Sequence, residues 1–234
     1  MTPMVLVPGL LCTADVFAPQ LPALWQHGPV TIASTLKGRS MAQMAASILA
    51  SAPPQFALGG ISMGGYLAFE ILRQAPDRVT ALALISTSPL PDTPEQSQQR
   101  RDLLALARRS DFAAVLRRTL RGLLHPDHRD DSELLETQVR MGLAVGIEAM
   151  ERQQQAIMER HDSRPLLADI HVPAAVIVGD GDPLTPPEVA RDMTQAIPRA
   201  ELSIIETCGH ASTREQPEAV NQALERWLQR VSSA

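Results

Sequence analysis

Two cysteines in 234 residues, Cys12 and Cys208, are too few for a disulfide framework. The expectation is a reduced, cytoplasmic protein. No apolar run approaches the length of a membrane span, so no membrane partner is expected. Positive charge is not in excess: 21 Lys plus Arg stand against 26 Asp plus Glu, a net charge of -5, which argues against a nucleic-acid partner. The opening run Met1-Thr2-Pro3-Met4-Val5-Leu6-Val7 has no basic region and leads directly into a predicted strand, so no signal peptide is expected. Internal repeats and low-complexity segments are absent from the sequence. What remains is a chain that is 44% hydrophobic and 20% charged, able to bury a substantial core as one large or two small domains.

Short apolar runs punctuate the sequence. Met4 to Val7, Pro29 to Ala33, Phe56 to Ile61, Val79 to Ile85, Ala174 to Val178 and Glu201 to Ile205 read as six strands. Several are continuously apolar rather than alternating, as parallel strands covered on both faces should be. Helical candidates lie between them at Phe17 to Leu24, Ser40 to Ala50, Gly64 to Gln74, Pro187 to Ala196 and Pro217 to Val231. This alternation implies an α/β fold with a parallel sheet. Residues 91–164 break the pattern, holding no strand candidate but four amphipathic helical stripes between strands four and five. They carry 12 Arg against 13 Asp plus Glu, and the Arg pairs read as solvated helix faces.

Gly60-Ile61-Ser62-Met63-Gly64 is the informative motif. A strand precedes it and a helix follows, the context that makes G-x-S-x-G a strained turn presenting a serine nucleophile. Residues two before and two after the serine must lack side chains, and Gly60 and Gly64 do. The N–H of Met63 points into the same space as the Ser62 hydroxyl and can stabilise an oxyanion. A serine needs a base, and the base an orienting acid. Of six histidines, His210 follows the last strand and shares the sheet rim with Ser62. His125-Pro126-Asp127-His128 lacks further ligands at a metal-site spacing and reads as an exposed turn. For the acid, two aspartates compete in Gly179-Asp180-Gly181-Asp182-Pro183. Asp182 is favoured because Pro183 extends its backbone and projects it from the loop, whereas Asp180 is suited to capping the turn. The second oxyanion donor is expected from Val7-Pro8-Gly9-Leu10-Leu11-Cys12, with Leu10 ahead of Leu11. No metal or cofactor is called for.

Val7-Pro8-Gly9-Leu10, Gly60-Ile61-Ser62-Met63-Gly64-Gly65, Gly179-Asp180-Gly181-Asp182-Pro183-Leu184-Thr185-Pro186 and Cys208-Gly209-His210 together resemble the α/β-hydrolase superfamily, in particular its small bacterial carboxylesterases and enol-lactonase-like members. The likeness covers nearly the whole length. Because the first strand leads straight into the Val7-Pro8-Gly9 loop, the chain departs from the family in missing the usual N-terminal antiparallel hairpin, and the sheet is expected to have six parallel strands in the order 2-1-3-4-5-6. The likeness implies a hydrolase core at 1–90 and 165–234 and a helical lid at 91–164. Asp182 matches the family's acid. A second departure is Pro8-Gly9 where the family usually has His-Gly, which leaves the geometry of that loop open.

A serine rather than an aspartate at position 62 disfavours dehalogenase and epoxide hydrolase chemistry. The leading expectation is a carboxylesterase acting on a small-molecule ester through an acyl-serine. Lactonase, thioesterase, carbon–carbon bond hydrolase or lyase chemistry on the same residues is the alternative. Outside enzymes, the alternative is a ligand receptor of the same fold that does not turn over. Apolar Leu10, Leu11 and Met63 at the rim, with Met141, Leu143 and Met150 in the insert, suggest a small or medium acyl group. The same insert side chains are equally suited to core packing. Cys12 and Cys208 flank rim loops and read as inert thiols, with a redox switch as the alternative.

Overall fold

The computed structural model describes residues 2–232. Six parallel strands, β1 (Met4–Val7), β2 (Val30–Ile32), β3 (Phe56–Ile61), β4 (Val79–Ile85), β5 (Ala174–Gly179) and β6 (Ala200–Ile205), form one sheet in the order β2-β1-β3-β4-β5-β6. β1, β3, β4 and β5 are buried almost throughout, while β2 and β6 at the edges are partly exposed. The continuous apolar runs follow from this burial on both faces.

Alternate residues of each strand feed two separate cores. Val5, Val7, Leu82, Leu84, Val176 and Val178 pack on one face against α2 (Met41–Ser51), α3 (Met63–Gln74) and α8 (Pro187–Ala196). Met4, Leu6, Ala81, Ala83, Ala175 and Ile177 pack on the other against α10 (Pro217–Ser232) and the segment before β2. That segment, expected as one helix from Phe17 to Leu24, is a 3-10 stretch over Ala14–Gln20 followed by the four-residue α1 (Leu21–Leu24). Pro19 and Pro22 explain the break, since each removes a backbone donor from a helix interior.

Between β4 and β5 lie α4 (Pro94–Arg109), α5 (Phe112–Arg121), α6 (Ser132–Val145) and α7 (Ile147–Met158). Each starts on a recognisable signal. Thr93 and Gln96 form a reciprocal capping box, Asp111 and Asp131 cap α5 and α6, and Gly146 at φ 81° turns the chain into α7. Their apolar stripes meet in a third cluster with Leu11. No described helix is long and apolar enough to cross a membrane.

β1 sends the chain out to β2 on one side, and β3 returns to pair with β1 on the other. The loops leaving β1 and β3 therefore diverge at the carboxyl edge of the sheet, where open α/β sheets place their ligand crevices. Val7 lies opposite Gly60 in the register, so the two loops start side by side.

Candidate active site

Ser62 sits between β3 and α3 at φ 54° and ψ -116°. Such a backbone is costly for a residue with a Cβ and persists only where the surroundings enforce it. Here the Ser62 N–H donates to Ile85 O at 2.9 Å, and Thr87 Oγ1 donates to Ser62 O at 2.8 Å. The glycines are a steric requirement: a Cβ on Gly60 would strike the Gly64 backbone, and one on Gly64 would strike Val7 O. A Cβ on Gly65 would strike Thr87.

His210 Nε2 lies 2.8 Å from Ser62 Oγ, and its Nδ1 lies 2.8 Å and 3.0 Å from the two carboxylate oxygens of Asp182. With the proton on Nδ1, that nitrogen donates to Asp182 and Nε2 accepts from the Ser62 hydroxyl. Asp182 accepts three more bonds, from Leu184 N, Thr185 N and Thr185 Oγ1 at 2.8–2.9 Å. Burial works to raise the Asp182 pKa, but the charge and hydrogen bond of His210 and the Thr185 bonds outweigh it and hold the carboxyl below its ordinary range. Burial likewise works to lower His210. The charge and hydrogen bond of Asp182, helped by the charge of Glu215, overcome it and hold the imidazole above its ordinary value. Asp180, the competing acid, spends its carboxylate on Thr207 N and Cys208 N at 3.1 Å and 3.0 Å. It shapes the His210 loop without touching the imidazole.

Glu215 has no counterpart among the sequence expectations. Its side chain is fully buried and accepts from Gly209 N and Ala211 N on either side of His210, and from His125 N, at 2.9–3.0 Å. His128 Nδ1 lies 3.2 Å from the same carboxylate, and His210 N donates to Leu123 O at 2.9 Å. The 125–128 segment is thus a turn that braces the His210 loop. Among the described residues no group of three His, Cys, Asp or Glu side chains is placed to hold a metal.

The loop after β1 passes directly over the serine: a Cβ built on Gly9 would lie 3.4 Å from Ser62 Cβ. Among the described residues neither Leu10 N–H nor Met63 N–H has a hydrogen-bond acceptor. Leu11 N–H is committed to Gln153 Oε1 on α7 at 3.1 Å. That arrangement leaves two free backbone donors, one in the loop that crosses Ser62 and one in the residue that follows it.

An apolar cavity of about 110 Å³ opens onto Ser62 and His210. Leu10, Leu11 and Met150 line it as expected, joined by Leu103, Val115, Leu116 and Leu120 from the inserted helices, with Gln138 and Thr119 as polar exceptions. Met141 and Leu143, also expected there, lie elsewhere. Met141 is buried in the core with Ile61 and Ile85, and Leu143 is 46% exposed. Helical periodicity finds an apolar face but not what that face covers. Cys12 and Cys208 are free thiols, Cys12 pushed up by burial to about 12 and Cys208 pushed up as well, so neither is a ready nucleophile.

Known proteins show the same arrangement at large. The sequence profile described as alpha/beta hydrolase fold matches residues 40–215. A pimeloyl-[acyl-carrier protein] methyl ester esterase of Nitrosomonas europaea is 31% identical over 189 residues, 76% of this chain and 73% of that one. A thermophilic esterase from Thermogutta terrifontis superposes with a TM-score of 0.88 at 29% identity, covering 99% of this chain and 90% of its own. The enol-lactonase from Burkholderia xenovorans LB400 shares the fold at a TM-score of 0.86 and 24% identity, covering 97% and 91%. With its six-stranded parallel sheet, its serine elbow after β3 and these likenesses, the chain belongs to the alpha/beta hydrolase fold family.

Proposed function

We propose that the protein is a carboxylesterase that cleaves small to medium acyl esters through an acyl-serine. One observation carries this reading: the unbroken line Asp182–His210–Ser62, each step 2.8 Å, ends at the mouth of an apolar cavity beside two unpaired backbone donors. Ser62 Oγ attacks the acyl carbonyl while His210 Nε2 takes its proton. Leu10 N–H and Met63 N–H receive the oxyanion. The imidazolium gives its proton to the departing alcohol, and water then repeats the sequence to free the acid. Asp182 stays ionised throughout, which its many donors favour.

The cavity bounds the substrate. It is smaller than the engineered apolar cavity of roughly 150 Å³ that admits benzene, so it suits a short or medium apolar acyl chain. Residues 91–164 act in this reading as the lid that supplies nearly half of that lining. The resemblance to methyl ester esterases supports an ester with a small alcohol as the leaving group. Two free thiols fit a reducing, cytoplasmic setting.

Hydrolysis of p-nitrophenyl esters of increasing chain length tests the reading. Wild type should turn over the shorter esters, and Ser62→Ala should lower kcat by about 10⁶-fold. Equal turnover by the two would sink it.

A further inference from the structure

We propose that Gln153, on α7 of the inserted segment, is a positioning residue that holds the loop after β1 in the shape that aims Leu10 N–H at the oxyanion. The proposal rests on the esterase reading above. Leu11 adopts φ 60°, a left-handed conformation that is strained for a residue with a Cβ. Inside the loop, Cys12 N donates to Gly9 O at 3.2 Å and closes a turn over Leu10 and Leu11, and Cys12 Sγ lies 3.5 Å from Leu10 O. A second hold comes from outside. The Leu11 side chain is buried with Ala107, Val115, Leu116 and Met150, and its N–H donates to Gln153 Oε1 at 3.1 Å.

The orientation of that amide is itself fixed. Gln153 is fully buried, and its Nε2 donates to Thr35 Oγ1 at 3.0 Å and to Thr35 O at 3.4 Å, beyond the end of β2. Thr35 is buried too. Flipping the amide would set its NH₂ against the Leu11 N–H, donor against donor. The relay Thr35–Gln153–Leu11 therefore has one polarity. It turns the Leu11 N–H away from the serine and leaves the preceding donor, Leu10 N–H, unpaired next to Gly9, where the loop crosses Ser62. The loop's own turn is thus tied to the helical segment that also lines the cavity.

Gln153→Met keeps length and bulk but removes all three hydrogen bonds of the amide. It should lower kcat about ten- to a hundredfold while KM stays within about twofold, because the lost interaction belongs to the transition state. Affinity for a trifluoromethyl ketone should fall by the same factor as kcat. In that adduct Ser62 Oγ bonds to the ketone carbon, His210 takes the proton, and the former carbonyl oxygen becomes the oxyanion. Thr35→Val, which removes the shorter of the two bonds that anchor the amide and leaves the one to the residue 35 carbonyl, should move both quantities the same way by less, and Thr35→Ser should retain both. Unchanged kcat and unchanged ketone affinity in Gln153→Met would overturn the proposal. So would losses that merely track the folded fraction, or, should Gln153→Met not fold, a Thr35→Val that matches wild type in both readouts. A wild type that takes up no fluorophosphonate on Ser62 would instead overturn the esterase reading itself, an outcome distinct from these.

Discussion

Along the carboxyl edge of the sheet, strain is concentrated. The four described non-glycine residues with positive φ are Leu11 after β1, Ser62 after β3, Ser86 after β4 and Thr207 after β6. The helices of residues 91–164 contain none, and their one left-handed turn is made by Gly146, where it is cheap. The polar bonds differ in kind as well. At the rim, buried carboxylates meet backbone N–H groups and an imidazole, as with Asp182 and Glu215. On the inserted helices most ion pairs are exposed, as with Arg117–Glu136 and Arg121–Asp130, where solvent screening leaves them little weight. The rim is built to hold a few atoms in place against backbone preference. The insert is built from ordinary capped helices that present an apolar wall. In the proposed esterase, chemistry belongs to the first region and acyl selection to the second, with Gln153 and the 123–128 segment bonding the two.

Breaking the rim should have the largest effect. Asp182→Asn keeps the shape of the loop but favours the wrong imidazole tautomer. Ester hydrolysis should fall by about 10⁴-fold with the fold intact, which steady-state kinetics and circular dichroism together would check. A fall of only a few-fold would mean that Asp180 or Glu215 serves His210 instead.

Next come two core truncations that separate the regions. Leu116→Ala and Met141→Ala should each destabilise by about 2–5 kcal/mol in chemical denaturation. Only Leu116 lines the cavity, so only Leu116→Ala should move the chain-length preference toward longer acyl groups. A matching shift from Met141→Ala would blur the division.

Acidity gives a smaller and signed effect. Turnover needs neutral His210, whose pKa is raised, so kcat/KM should climb as pH rises through a value above the ordinary histidine pKa of about 6.5. The stability linked to His210 runs the other way. It is fully present below about 6.5 and is lost as pH rises through the folded-state value. Glu215→Gln removes one charge that lifts His210, and the acidic limb of the kcat/KM profile should move to lower pH. A limb that stays in place would confine Glu215 to bracing the backbone. Smallest of all, Leu143→Ser on the exposed face of α6 should change stability by no more than about 0.5 kcal/mol and leave acyl preference alone.

The same division explains what was legible in the sequence. The positions of Ser62, Asp182 and His210 follow from short motifs whose glycines and prolines have steric meaning, and the strand order from the family resemblance that those motifs carry. Between Asp180 and Asp182 the sequence could only favour one. The structure separates them by which one the imidazole reaches and which one the 207–208 amides occupy. Met141 and Leu143 show where periodicity stops, since one apolar stripe serves core, cavity and solvent at once. Glu215 and Gln153 were missed for a related reason: each acts on backbone groups far away in sequence. A signal for Gln153 was present. It lies three residues after Met150 and four before Ile157, a polar residue on the apolar face of α7, where burial without a partner would be costly.

The central claim is an acyl group carried by Ser62 during turnover. Acid quenching during hydrolysis of a short p-nitrophenyl ester, followed by peptide mass spectrometry, tests it directly. The account predicts the acyl mass on the peptide that contains Ser62, and its loss in Ser62→Ala together with activity. An acyl mass on another residue, or undiminished hydrolysis by Ser62→Ala, would contradict it.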